Sequence, residues 1–67
     1  MNTYSVFARS TENYDKNVEF SYSGRKLLKI GDLVTLQDSV TNLSNGKTFT
    51  LLDIDEKQYK IIKHIKL

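Results

Sequence analysis

Lysines recur at every third position near the C-terminus of the chain. They are Lys57, Lys60, Lys63 and Lys66. Residues 56–67 hold these four lysines and one glutamate, a net charge of +3, whereas residues 1–55 hold six basic and seven acidic groups, a net charge of −1. Such a row of lysines neutralises phosphates or an acidic protein surface. Lysines also protect an edge strand from pairing with another chain, and that structural role is the alternative.

A second group combines an aromatic ring with positive charge. It consists of Tyr22, Arg25, Lys26 and Lys29. Proteins that bind single-stranded nucleic acid use the same combination, because bases stack on the rings while the cations meet the phosphates. A tyrosine in a small barrel is also a typical core residue whose hydroxyl reaches the surface, so a structural role for Tyr22 stays open.

The residues that catalysis requires are nearly absent. Nucleophilic catalysis needs a nucleophile, a base and a group that orients the base, yet the chain has one histidine, His64, and no cysteine. We expect His64, inside the lysine-rich segment, to face solvent. The acidic residues Asp53, Asp55 and Glu56 lack calcium-loop spacing, and the three glycines form no phosphate loop. We therefore expect a non-enzymatic protein with no catalytic residue, no metal site and no cofactor.

The elements that position these residues are predicted to be strands. Apolar and polar residues alternate with the period of two that is typical of half-buried strands. Five short strands without room for crossover helices indicate an all-β fold, either a five-stranded antiparallel barrel or a curled sheet. The alternating segments are residues 3–9, 18–23, 32–37, 47–54 and 58–65. The residues predicted to be buried are Val34, Leu36, Phe49, Leu51 and Ile61.

Three segments allow more than one interpretation. Residues 10–16 are rich in turn formers, and a short helical turn capped by Ser10 or Thr11 is possible there. Residues 39–46 are predicted to be a loop closed by a tight turn at Asn45-Gly46. Residues 57–66 fit a strand or an amphipathic helix, and their isoleucines and tyrosine favour the strand.

Length and composition narrow the class of protein. A chain of 67 residues is expected to form one domain, residues 1–67. The lack of cysteine suits a reducing compartment, and no apolar run approaches the length of a membrane span, so we expect a cytoplasmic protein without a membrane partner. Eight lysines against two arginines, with five asparagines and five isoleucines, are typical of an AT-rich genome, such as that of a low-GC bacterium or its phage or plasmid.

The stretch KIGDLVTL, followed by GKTFTLLDIDEKQYKI, resembles the small SH3-like barrels, including the KOW type of ribosomal and transcription-associated proteins. The resemblance covers residues 29–62. It implies that Gly31 lets the chain turn sharply into a strand and that Asp32 accepts hydrogen bonds from turn amides. It also implies a hairpin that returns across the barrel and includes Leu52, Ile54, Tyr59 and Ile61.

These patterns predict a non-catalytic binding module, an accessory or inhibitory protein that occupies the surface of a partner protein. One alternative is a nucleic-acid-binding protein that uses the C-terminal lysines. Another is a homo-oligomeric structural protein, because dimerisation would bury one face of so small a core. The candidate binding surface comprises Tyr22, Arg25, Lys26, Lys29, Lys57, Lys60, Lys63 and Lys66.

Overall fold

The computed structural model describes residues 2–40 and 47–67, and the predicted turn at Asn45-Gly46 lies outside them. The described residues form five strands: β1 (Asn2–Ser10), β2 (Asn17–Gly24), β3 (Leu33–Val40), β4 (Lys47–Asp53) and β5 (Tyr59–Lys66). The strand interpretation of the C-terminal segment is therefore confirmed. Within the described ranges there is no helix with the length and apolar character that a membrane crossing requires.

The strands form one curled sheet in the order β2-β1-β5-β3-β4, and every hydrogen-bonded pair is antiparallel. β1 pairs with β2 on one side and with β5 on the other. By contrast, β3 meets β5 only at Leu33–Lys60 and Val34–Tyr59. The outer strands β2 and β4 contact each other, so the sheet is a nearly closed barrel. The predicted all-β antiparallel fold is confirmed.

The core follows the predicted alternation most closely in β1 and β2. Val6, Ala8, Val34 and Ile61 are completely buried, with exposed fractions of 0%. Leu28, from the connection between β2 and β3, joins this cluster. The remaining buried residues are Tyr4, Val18, Phe20, Leu36 and Tyr59.

The prediction that the side chains of Phe49 and Leu51 in β4 are buried is wrong. Both side chains are half-buried and pack against the edge of the core. Among the described residues, β4 has a hydrogen-bonded neighbour only on its β3 side, and none of its residues is buried. The prediction of burial is confirmed for Val34, Leu36 and Ile61.

The connection between β1 and β2 is a tight turn, and the possible helical turn at residues 10–16 does not form. Ser10 Oγ accepts hydrogen bonds from the backbone amides of Glu12 and Asn13, each at 3.2 Å. Asn13 Oδ1 accepts one from the Asp15 amide at 3.0 Å. The serine thus satisfies amides as a helix N-cap would, but the chain turns directly into β2.

The connection before β3 contains the sharp turn that the resemblance implies. Gly31 has a φ of 94°, a conformation that favours glycine. Asp32 Oδ2 accepts a hydrogen bond from the Lys29 amide at 2.9 Å. Gly31 N donates to Ile61 O at 2.8 Å, and Ile61 N donates to Asp32 O at 2.9 Å. The expected roles of Gly31 and Asp32 are confirmed, and the turn is attached directly to β5. The hairpin that the resemblance implies between the end of β4 and the start of β5 is wrong, because β3 lies between these two strands in the sheet.

Candidate binding surface

A β-bulge in β5 decides which lysines share a face of the barrel. Phe7 is paired with Lys63, but the next residue, Ala8, is paired with Ile61. Ile62 is therefore an extra residue in β5, as in a β-bulge. Because side chains in a regular strand alternate between faces, this extra residue reverses the alternation for the rest of the strand.

The bulge brings Lys60 and Lys63 to the same outer face. Lys60 is paired with Arg9, and Lys63 with Phe7. Arg9 and Phe7 alternate with the buried residues of β1, so both point outward. In a regular strand, two lysines three positions apart would lie on opposite faces. We name this surface the β1–β5 face and define it by Phe7, Arg9, Lys60, Ile62, Lys63 and Ile65.

Apolar groups lie among these cations. Ile62 is 39% exposed and Ile65 is 47% exposed. At one end of the face, Arg9, Lys60 and Ile62 line a groove of about 270 Å³ together with Ser10, Thr11 and Tyr14. The ring of Tyr14 is 76% exposed. The β1–β5 face thus combines positive charge with apolar surface that is open to a partner.

The cations of the β1–β5 face have no carboxylate partner within the described part of the chain. Arg9 Nε donates a hydrogen bond to Asn17 Oδ1 at 3.3 Å, and Lys63 Nζ lies 5.7 Å from the centre of the Phe7 ring. The ion pair found in residues 2–40 and 47–67 is elsewhere, between Lys47 and Asp38 at 3.8 Å. The positive charge of this face is therefore directed to solvent.

The two other lysines of the C-terminal series lie away from this face. Lys57 is in the turn before β5, where its carbonyl accepts a hydrogen bond from Thr11 Oγ1 at 2.9 Å. Lys66 is paired with Tyr4, whose side chain is buried, near the end of β5. The regular spacing in the sequence therefore does not produce one continuous row of lysines.

The residues Tyr22, Arg25, Lys26 and Lys29 do not form a compact cluster. Tyr22 is half-buried against the core, with its ring centre 6.5 Å from that of Tyr4. The Arg25 carbonyl accepts a hydrogen bond from Asn2 Nδ2 at 3.2 Å. Lys29 belongs to the Gly31 turn. Tyr22 and Lys26 line a common groove. The packing of Tyr22 against the core supports the structural role that the sequence left open.

The expectation of a solvent-facing His64 is wrong. The bulge places His64 opposite Val6, on the inner side of the sheet. Its ring is half-buried and meets the Tyr4 ring edge-on, with ring centres 5.0 Å apart. Nδ1 is buried and has no hydrogen-bond partner within the described residues. A register shift that the sequence pattern does not show places this residue, half-buried, on the inner side of the sheet.

Sequence reasoning did not select Phe7, Arg9 or Tyr14 for the binding surface. The alternation of β1 was sufficient to place Phe7 and Arg9 on its outer face. Their association with the C-terminal lysines, however, depends on the pairing of β1 with β5, two strands at opposite ends of the chain. Tyr14 lies in the β1–β2 turn and joins them only through the shared groove.

One further cation has a perturbed pKa. A hydrogen bond to Tyr59 and the Coulomb attraction of the Tyr59 phenol raise the pKa of Lys16 above its ordinary value. Lys16 Nζ lies 5.7 Å from the centre of the Tyr59 ring. Lys16 therefore stays positively charged beyond the pH at which a free lysine loses its proton.

The arrangement is suited to contact with another molecule. Its cations attract carboxylates or phosphates, and its isoleucines and tyrosine offer apolar area. Within residues 2–40 and 47–67, no three histidine, cysteine, aspartate or glutamate side chains are grouped so that they would hold a metal ion. Comparison of the chain with protein-family models, with curated proteins and with solved structures gives no match.

Proposed function

We propose that the protein is a non-catalytic binding module that docks on an acidic area of a partner protein through the β1–β5 face. The observation that carries this proposal is the bulge at Ile62, which gathers Lys60 and Lys63 on one face with Arg9. Bulges are features that re-aim side chains rather than defects. In this role the protein is an accessory or inhibitory protein that occupies the partner's surface.

The mixture of groups on the β1–β5 face supports a protein partner. Protein interfaces gain most of their affinity from a few apolar or aromatic side chains that become desolvated. Ile62, Ile65 and Tyr14 offer such groups, since all three are exposed. Charged groups at the rim steer the encounter and exclude wrong partners, and Arg9, Lys60 and Lys63 would do so against carboxylates.

The test compares two triple charge reversals. The first variant carries Arg9→Glu, Lys60→Glu and Lys63→Glu. The matched control carries Arg25→Glu, Lys26→Glu and Lys29→Glu, the same change of charge on the connection after β2. Each tagged protein is incubated with an extract of its source cells, and captured proteins are quantified by mass spectrometry. We expect a partner that the wild type and the control capture and the first variant loses. Equal capture by both variants would contradict the proposal.

A nucleic-acid ligand is the second candidate, because the rings of Phe7 and Tyr14 lie beside the same three cations. Three phosphate contacts would make log K fall against log salt with a slope of roughly −2 to −3, at about 0.7 per phosphate for single strands and 0.9 for duplexes. Fluorescence anisotropy with labelled oligonucleotides measures this slope. Submicromolar binding at about 0.15 M salt that depends on Arg9 and Lys60 would favour nucleic acid over a protein partner.

Three finer points belong to the same proposal. We assign the barrel to the SH3-like type, supported by the Gly31 turn and by the hydrogen bond that Asp32 accepts. The expectation of a cytoplasmic protein rests on the lack of cysteine, and that of a low-GC bacterial, phage or plasmid origin rests on the lysine-rich composition. A homo-oligomer remains an alternative function, and sedimentation velocity distinguishes it from a monomeric binding module.

A further inference from the structure

We name the gap between β2 and β4 the seam. The relative direction of the two strands that border it follows from the other strand pairings. β2 is antiparallel to β1, β1 to β5, β5 to β3 and β3 to β4. It follows that β2 and β4 run in the same direction. A ring of antiparallel strands closes only with an even number of members, so five strands must leave one parallel pair of neighbours. That pair is located at the seam.

The two strands at the seam are close but not paired. Some of their Cα atoms lie within 8 Å of each other, yet no backbone hydrogen bond joins β2 to β4 among the described residues. Strand edges with free amides and carbonyls are templates for another extended chain. The outer edge of β2 from residue 17 to residue 22 and the outer edge of β4 both face this gap.

The seam is continuous and nearly uncharged along its middle. Three grooves follow one another between the strands, with volumes of about 300, 270 and 380 Å³. One end carries Glu19 and Lys47, and the other carries Lys26 and Asp53, so the charges are balanced at each end. The residues between them include Ser21, Tyr22, Phe49, Thr50 and Leu51, all uncharged.

We propose that the seam binds an extended, uncharged polypeptide segment of a partner protein as a sixth strand. A single inserted strand that runs opposite to β2 is also opposite to β4, so it pairs antiparallel on both sides and makes the barrel even-numbered. Addition of a strand to an exposed edge is an established mode of peptide recognition. The balanced charge distinguishes this ligand from the acidic surface proposed for the β1–β5 face, and the two proposals are independent.

The lining of the seam specifies the side chains of the inserted strand. Residues that point inward would meet the half-buried Tyr22, Phe49 and Leu51, and residues that point outward would lie beside Ser21 and Thr50. The segment should therefore alternate apolar residues with small polar ones. An inserted strand needs about 9.5 Å between its neighbours, so β4 must move outward. β4 can move because, among the described residues, it is paired only with β3, and β3 is joined to β5 by two residue pairs and by the hydrogen bonds of the Gly31 turn.

The test uses a capped seven-residue peptide of alternating threonine and valine. Its binding to the ¹⁵N-labelled protein is followed by NMR titration and by amide hydrogen exchange. A control peptide is N-methylated at its three valines, which removes the donors along one edge without shortening any side chain. Ser21→Lys places a long charged side chain at the seam, whereas Ser5→Lys makes the same change at the residue that pairs with Ser21 one strand away.

We expect the peptide to slow amide exchange in β2 and β4 and to leave the β1–β5 face unchanged. We also expect N-methylation to weaken binding roughly tenfold or more, because several main-chain hydrogen bonds are lost. Ser21→Lys should weaken binding because it places a charge on the strand edge that the peptide joins, while Ser5→Lys binds as the wild type does. Equal affinity for the N-methylated peptide, or no binding at about 1 mM peptide, would overturn the proposal. A dimer in sedimentation velocity, with β2 and β4 amides already protected, would overturn it too, because a second copy would then occupy the seam.

Discussion

β1 and β4 have similar alternating patterns but very different surroundings. β1 has a hydrogen-bonded neighbour on both sides, and Tyr4, Val6 and Ala8 are all buried. β4 has one such neighbour, and none of its residues is buried. The comparison teaches that alternation predicts which side chains point inward but not how deeply they are buried, since β2, which also has one hydrogen-bonded neighbour, still buries Val18 and Phe20.

Two parts of the barrel differ in how many buried side chains they contain. The three-stranded part β2-β1-β5 contains most of the buried side chains and carries the β1–β5 face on its outer side. The β3–β4 hairpin is connected to it by two residue pairs of β5 and by the Gly31 turn. Regions with few buried contacts open most readily. We therefore expect the β1–β5 face to be rigid and the seam to be the place where the barrel opens.

The largest effect is expected from Ile61→Ala, in the well-packed part. The side chain of Ile61 is completely buried, and such a truncation costs about 2 to 5 kcal/mol. A domain of this size has a free energy of unfolding of only about 3 to 10 kcal/mol, so the variant should lose a large share of its stability. Urea denaturation followed by circular dichroism measures the loss. A loss below about 1 kcal/mol would show that this part is not the main core.

Phe49→Ala, in β4, should lower the free energy of unfolding by about half as much as truncation of a completely buried phenylalanine does. Truncation of a completely buried phenylalanine to alanine lowers the free energy of unfolding by about 3 to 5 kcal/mol, but Phe49 is only half-buried. We expect a loss of about 1.5 to 2.5 kcal/mol and a variant that remains folded. The same urea titration provides the measurement. If Phe49→Ala destabilised the protein as much as Ile61→Ala, the proposed difference between the two parts would be refuted.

Local patterns were sufficient to predict the strands and one turn. Val18, Phe20 and Tyr22 alternate with polar residues, and all three point toward the core. The Gly31-Asp32 pair predicted a sharp turn, because the positive φ and the side-chain hydrogen bond need only neighbouring residues. Such features depend on interactions between residues a few positions apart, and they are therefore visible in a single sequence.

The candidate site was only partly predictable because it depends on distant pairing. The bulge at Ile62 is a shift in the register between β1 and β5, and the residue types of β5 do not indicate it. Without the bulge, the alternation places Lys60 and Lys63 on opposite faces and leaves His64 on the surface. The half-burial of Phe49 has a similar origin, since it follows from the incomplete closure between β2 and β4.

Gly31→Ala should weaken the connection between the two parts by about 1 to 2 kcal/mol, the cost of a left-handed conformation for a residue with a side chain. A Cβ atom at this position would meet no atom within 4 Å, so the loss is one of backbone conformation alone. Asparagine tolerates positive φ better than alanine, and Gly31→Asn should lose less. Amide exchange should become faster in β3 and β4 and change little in β1. Equal losses for the two variants would contradict this explanation.

The smallest effects are expected on the β1–β5 face, where the cations contribute little to folding. Lys60 has no ion-pair partner within the described chain, and exposed substitutions of this kind usually change stability by less than about 0.5 kcal/mol.

Lys63→Gln should lower the free energy of unfolding by about 0.5 to 1 kcal/mol, because the Lys63 ammonium lies over the Phe7 ring. Thermal unfolding of Lys60→Gln and Lys63→Gln at low and high salt measures both values. A loss well above 1 kcal/mol for Lys60→Gln would mean that this lysine supports the fold. A melting temperature of Lys60→Gln equal to that of the wild type would leave binding as the role that explains a face whose cations have no carboxylate partner among the described residues.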